Sequence, residues 1–426
     1  MKDICLTNAR LPDSKLVNVF IRNGLINRIE SPGPVAAEVK AVDCNGNYLL
    51  PGLIDGHVHF RQPGGENKED WDHGEQSAIA GGVTTVCDMP NTEPPTTNYE
   101  LFEQKVSLIG NRQIDYYCYL GATTDNQREI ESLAGHKKFC GPKLYMGSST
   151  GSLLVSEQRD QYRVLEAAAV AGVRVAVHAE NEALIKRNRD RYPENPPIFA
   201  HCQIRDEEVE VTAIEQILRA AEDTGAKLRL CHVTTDRGVE LAFDAKNRGV
   251  DVVVEVCVQH LFKTWDSLRG EFAGFNKMNP PFRKPETVLR LQQLVLQPDF
   301  VEVTATDHAP HTITEKSCGQ YNSTPSGVPG VQTRLYMLWR LVANGLMSVE
   351  RFVELTSGKE AELLGINKGK IGVGAIADLI VLDPSPVWRI HNDWIKSKCG
   401  WTPFHLEEVQ GQLRTVIRHG QIIYSL

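Results

Sequence analysis

Tyr48-Leu49-Leu50-Pro51-Gly52-Leu53-Ile54-Asp55-Gly56-His57-Val58-His59-Phe60-Arg61 is an apolar run that ends in three basic side chains. In an extended strand positions i and i+2 share a face, so the imidazoles of His57 and His59 can reach one metal ion. Alone, a His-x-His pair is more often the polar end of a buried strand. Only further ligands elsewhere in the chain make it a metal clasp.

From this strand onward, apolar runs at 53–59, 83–89, 115–120, 139–144, 173–178, 228–232, 250–256 and 301–306 alternate with longer helix-like segments. Among those segments are 98–109, 161–171, 207–224 and 287–296. Such alternation belongs to repeated βα units with a parallel sheet, and eight strands fit an α/β protein built on a TIM-like (β/α)8 barrel spanning 51–370. Both chain ends have another texture. Short alternating runs with turn signals at Asn23-Gly24 and Pro32-Gly33-Pro34, and similar runs from Ile371 to Tyr424, predict a small β-sandwich domain made by 1–50 and 371–426. No repeat of solenoid period, low-complexity stretch or long linker interrupts the chain.

The 426 residues hold 46 Lys and Arg against 54 Asp and Glu, a net charge of −8, with no basic block to track a phosphate backbone. A nucleic-acid partner is not expected. An anionic substrate would have to be attracted by cations local to its site. No apolar run approaches the ~18 residues of a membrane span, and Met1-Lys2-Asp3-Ile4-Cys5 lacks the pattern of a signal peptide. The expectation is a cytoplasmic protein with no membrane attachment. Ten scattered cysteines, without a Cys-x-x-Cys pair, read as reduced core residues.

Polar residues able to serve a metal site recur where the expected strands stop. After His57 and His59 come Lys143, His178, His232 and Asp307, the last in Thr304-Ala305-Thr306-Asp307-His308-Ala309-Pro310-His311. Barrel enzymes assemble their sites from the C-terminal ends of several strands, so a shared site explains this placement better than chance. Imidazole and carboxylate suit zinc or a similar divalent ion, and a set larger than four suggests two metals. A lysine ammonium has only donors and cannot itself be a ligand.

These residues sit in motifs that resemble the dihydroorotases of the amidohydrolase superfamily: Asp55-Gly56-His57-Val58-His59-Phe60-Arg61, Asp88-Met89-Pro90-Asn91-Thr92, Lys143-Leu144-Tyr145, Ala305 through Thr312, and Gly327-Val328-Pro329-Gly330. The resemblance covers nearly the whole chain, including Trp401-Thr402-Pro403-Phe404. It implies reversible cyclisation of N-carbamoyl-L-aspartate to L-dihydroorotate and water, a step of de novo pyrimidine biosynthesis, through a metal-bridged hydroxide. It further implies two zinc ions per chain, with His57 and His59 on one, His178 and His232 on the other, and a carbamylated Lys143 between them. Asp307 would complete the first shell and act as general acid and base. Arg61 would pair with the substrate carboxylate, aided by Asn91 and His311, with Asn279 touching the ring and Pro329 and Gly330 bordering the pocket. A planar guanidinium suits bidentate binding of a carboxylate, a group hydantoins lack.

Two positions depart from the family pattern. Some members of this length carry an aspartate in place of the carbamate, whereas here Lys143 is followed by the hydroxyl-rich stretch Ser148 to Ser152, read equally as a lid or as a solvated loop. A His-His pair after the seventh strand reads Gln259-His260, so His260 receives no catalytic role. Other readings are a hydantoinase, dihydropyrimidinase or allantoinase, and a non-catalytic dihydroorotase-like scaffold. A homodimer is left open.

Overall fold

The computed structural model describes residues 3–149 and 153–426; Thr150, Gly151 and Ser152 of the hydroxyl-rich stretch lie outside the described residues. Eight parallel strands run in sequence order around a nearly closed barrel: β1 (Leu53–Val58), β2 (Val83–Asp88), β3 (Asp115–Gly121), β4 (Phe139–Tyr145), β5 (Arg174–His178), β6 (Lys227–Leu230), β7 (Val252–Cys257) and β8 (Val303–Ala305). Every neighbouring pair along this series is parallel. All eight expected strands are present, with ends within two residues of the sequence reading.

Closure is completed by backbone beyond the last strand. Val58 and His308 form a parallel bridge, and His59 N–H donates to the His308 carbonyl at 2.8 Å. The seam between β1 and β8 thus carries His57, His59 and Asp307 together.

Helices cover the outside because their sequences bury one stripe and cap their own ends. In Glu207–Thr224 the Asp206 side chain accepts the Val209 N–H, and the helix stops at Gly225, whose φ of 72° is left-handed. Its inward face is Val209, Ala213, Ile214, Ile217, Leu218 and Ala221. Asn98 caps Tyr99–Ile109 in the same way through the Leu101 N–H. Full burial of a side chain the size of Ile217 is worth roughly 1.5–3 kcal/mol.

The two chain ends share one continuous eight-stranded, mostly antiparallel sheet. Tyr48–Pro51 pairs with Leu379–Arg389, and Leu16–Arg22 pairs with Leu25–Glu30 across a turn whose Asn23 and Gly24 have φ of 51° and 80°. Ile4, Leu6, Val19, Leu49, Leu379 and Ile417 form its core, separate from that of the barrel. Gly52 connects sheet to barrel, and a Cβ there would lie 2.5 Å from Thr84 Oγ1, so the crossing requires glycine. The junction is pinned by Asp115 at the start of β3, which takes Lys368, Arg418 and His419 as partners, while Lys368 also reaches Asp378 at 2.6 Å. Among the described residues no helix is long and apolar enough to cross a membrane.

Candidate active site

At the C-terminal end of the barrel, β1 delivers His57 and His59, the turn after β8 delivers Asp307, β4 delivers Lys143, β5 ends in His178, and His232 follows β6. His57 Nδ1 lies 2.8 Å from Glu255 Oε1 and His59 Nδ1 lies 2.7 Å from Asn91 Oδ1. Both acceptors draw the ring protons onto Nδ1. The two Nε2 lone pairs then face Asp307 Oδ1, at 3.3 and 2.9 Å, so three atoms able to serve as ligands converge. This is the donor set and spacing of a cation site.

A second group lies beside it. His178 gives its Nε2 proton to Glu180 at 2.7 Å, which leaves Nδ1 facing His232 Nε2 at 3.1 Å. The His57 and His232 ring centroids are 5.3 Å apart, so the two groups adjoin. Lys143 is fully buried, and its Nζ has no hydrogen-bond partner among the described residues. A buried, unpartnered amine is costly, and chemistry that makes it an anionic ligand would remove that cost. The His57, His59 and Asp307 cluster fits a divalent ion, and His178, His232 and Lys143 adjoin it.

Electrostatics point the same way. Burial above all pushes His57 down to about 4 and holds His59 and His232 well below the usual imidazole range. All three are neutral at pH 7, as metal ligands must be. Burial alone would raise Glu255, but Arg229 and His57 more than offset it and keep the carboxylate ionised. Asp307 is shifted upward, chiefly by burial. Asp307, Arg61 and His232 all adopt left-handed backbone, with φ of 45°, 60° and 38°, strain of the sort that collects at functional sites. His232 lies beyond the end of its strand, although the sequence suggested strand through 232. Glu255 Oε1 accepts its N–H at 3.0 Å and holds the chain in a turn.

Arg61 is buried, its Nε donating to the Pro310 carbonyl at 3.3 Å and its Nη2 lying 3.3 Å from His311 Nε2. The pair forms a basic corner next to the histidine–aspartate cluster. Asn91 is placed on His59. Gly330 N–H donates to His308 Nδ1 at 3.1 Å, behind the seam, with Pro329 buried beside it. Asn279 is not joined to this cluster by a contact among the described residues, and its Oδ1 is engaged by His201 Nε2 at 3.0 Å. His260 sits with Nε2 3.0 Å from the Pro280 carbonyl.

Sequence reasoning missed Glu255, Glu180 and Lys68, all of which hold a ring of the site. For Glu255 a signal existed: a lone carboxylate within the otherwise apolar Val252–Cys257.

Comparison with known proteins agrees with this architecture. The Amidohydrolase family matches residues 48–423. A dihydroorotase of Halobacterium salinarum is 34% identical over 95% of this chain and 91% of its own length, and one of Methanosarcina acetivorans is 32% identical over 95% and 88%. Among solved structures, the L-hydantoinase (dihydropyrimidinase) of Arthrobacter aurescens superposes with a TM-score of 0.93 at 27% identity, covering 100% of this chain and 96% of that one. With a family match across most of its length, a barrel of that fold and a buried ligand cluster at the strand ends, this chain belongs to the amidohydrolase family.

Proposed function

We propose that this chain is a zinc-dependent dihydroorotase that interconverts N-carbamoyl-L-aspartate and L-dihydroorotate in the cytoplasm, as a step of de novo pyrimidine biosynthesis. The observation that carries the reading is the buried Arg61–His311 corner beside Asp307, a receptor for a carboxylate at the edge of a metal site. His57, His59 and Asp307 would hold one ion, His178 and His232 the other, with carbamylated Lys143 between. Divalent ions, when bound, lower the pKa of water and polarise a carbonyl, which is the chemistry an unreactive ring amide requires.

The chain's own residues supply the rest. Arg61 orients the substrate through its α-carboxylate, in two parallel hydrogen bonds. Asp307 accepts the proton of the attacking water and delivers it to the departing ring nitrogen; burial raises its pKa in the direction such a shuttle needs. In ring closure the same group runs in reverse. Glu255 and Asn91 hold His57 and His59 in the tautomer that presents Nε2 to the ion. Closure turns a dianion into a monoanion and water, so acidic pH favours condensation and alkaline pH favours hydrolysis.

The hydantoinase neighbours supply the competing reading. Assay of the purified protein on L-dihydroorotate, hydantoin, dihydrouracil and allantoin separates the two. Turnover of L-dihydroorotate alone is expected, with kcat/KM reduced on the order of 10–100-fold in Arg61→Met. Turnover of hydantoin with none of L-dihydroorotate would overturn the assignment. Metal analysis should find two ions in the wild type and fewer in Lys143→Ala; two ions and full activity in that variant would remove the carbamate bridge.

A further inference from the structure

A third basic residue joins the Arg61–His311 corner. Lys68 Nζ lies 3.2 Å from His311 Nδ1 and 2.8 Å from Glu315 Oε1. The intervening loop brings it there: Gly65 N–H donates to the Arg61 carbonyl and Lys68 N–H to the Gly65 carbonyl, each at 2.9 Å. Lys68 thereby reaches the ring nitrogen that Arg61 does not. Glu315 is itself fixed, as the third residue of a capping box on Thr312.

Both nitrogens of His311 face conflicting neighbours. Nε2 lies 3.1 Å from the Ser326 carbonyl, which can only accept, and 3.3 Å from Arg61 Nη2, which can only donate. Nδ1 lies 3.9 Å from Glu315 Oε2, which favours a proton there, and 3.2 Å from the Lys68 ammonium, which forbids one. Burial, then the charges of Arg61, Lys316 and Lys68, holds this histidine well below its ordinary pKa, so the ring carries a single proton. With its proton on Nε2 the ring donates to Ser326 and accepts from Lys68, two hydrogen bonds; with its proton on Nδ1 it keeps only the bond from Arg61, since Glu315 lies 3.9 Å away.

We propose that Lys68 is a positioning residue that sets the tautomer of His311 and so keeps the Arg61 guanidinium free for a substrate carboxylate. This rests on the reading of Arg61 as the carboxylate receptor. Without Lys68 the proton moves to Nδ1, toward Glu315, and Nε2 becomes an acceptor that ties Arg61 to the ring. The defect falls on binding of the anion and not on the proton transfers at Asp307.

The test compares wild type, Lys68→Met and Lys68→Arg, each labelled with ¹⁵N-histidine, the His311 signals being identified by their loss in His311→Asn. Wild type and Lys68→Arg should show protonated Nε2 and bare Nδ1, and Lys68→Met the reverse. In the same set, KM for L-dihydroorotate should rise about tenfold in Lys68→Met with kcat changed less than about twofold, and Lys68→Arg should restore it. A Lys68→Met protein that keeps the Nε2–H tautomer, or that loses kcat at unchanged KM, overturns the proposal. If the wild type does not turn over L-dihydroorotate, the reaction assigned above fails, and the tautomer measurement still decides the role of Lys68.

Discussion

Glu255 illustrates how much of this site is built behind the residues that would touch a metal. One carboxylate oxygen takes the His57 Nδ1 proton and the His232 N–H, at 2.8 and 3.0 Å, while the other is held by Arg229 Nε at 2.7 Å. Arg229 continues to Glu360 at 2.6 Å. Replacing Glu255 with Gln keeps the shape but leaves the His57 tautomer unset, and metal affinity should fall about 10–100-fold, as for other supporting partners of ligating histidines. Chelator competition on folded protein measures this; wild-type affinity would show that the ring needs no such anchor. The histidines and Asp307 were legible because each ends an apolar run. Glu255 showed only as a lone carboxylate inside a run, where alternation alone does not say whether a side chain faces the barrel lumen or the helices. Lys68 was hidden for a different reason: its role depends on a loop that no periodicity describes.

Elements read well from sequence where their stop signals are local. The helix Glu207–Thr224 has the bounds its sequence implied, because Asp206 and Gly225 fix its two ends within one turn. Asp206→Ala should cost about 1 kcal/mol, and Ile217→Ala, which empties a fully buried position, about 2–5 kcal/mol, both read from urea midpoints. Equal costs for the two would mean that the cap carries more than its one hydrogen bond. Strand ends read less well. β6 stops at Leu230 because a carboxylate on the neighbouring strand, distant in sequence, claims the His232 backbone. The last strand, Val303–Ala305, is shorter than its apolar run, since the chain then turns to present Asp307 and leaves His308 to continue the pairing.

At the scale of the whole molecule, barrel and end sheet are joined by a charged junction that should govern acid stability. Burial alone would raise Asp115, but His419, Lys368 and Arg418 more than offset it and hold its carboxyl far below the usual range. A carboxylate depressed in the folded state contributes stability that is complete above its unfolded pKa, about 3.9, and is lost as pH falls toward the folded value. Asp115→Asn should therefore be less stable than wild type at pH 7, with the gap narrowing as pH drops below about 4. Urea titrations of both proteins at pH 7 and pH 3 test this; a gap independent of pH would discount the charge. The sequence placed both chain ends in one β-rich unit, and alternation could not say that its strands form one continuous sheet, since pairing between the termini is set by long-range register. The seam between β1 and β8 has a last consequence, for biogenesis. His59 and Asp307 meet across 248 residues, so a nascent chain still short of β8 carries all four histidines of the proposed metal centre but not the carboxylate that would complete its first site. If these residues hold the proposed ions, metal loading on the ribosome waits until nearly three-quarters of the protein has emerged, and a cut between the two strands that lets the halves drift apart separates His57 and His59 from Asp307 while the helices persist.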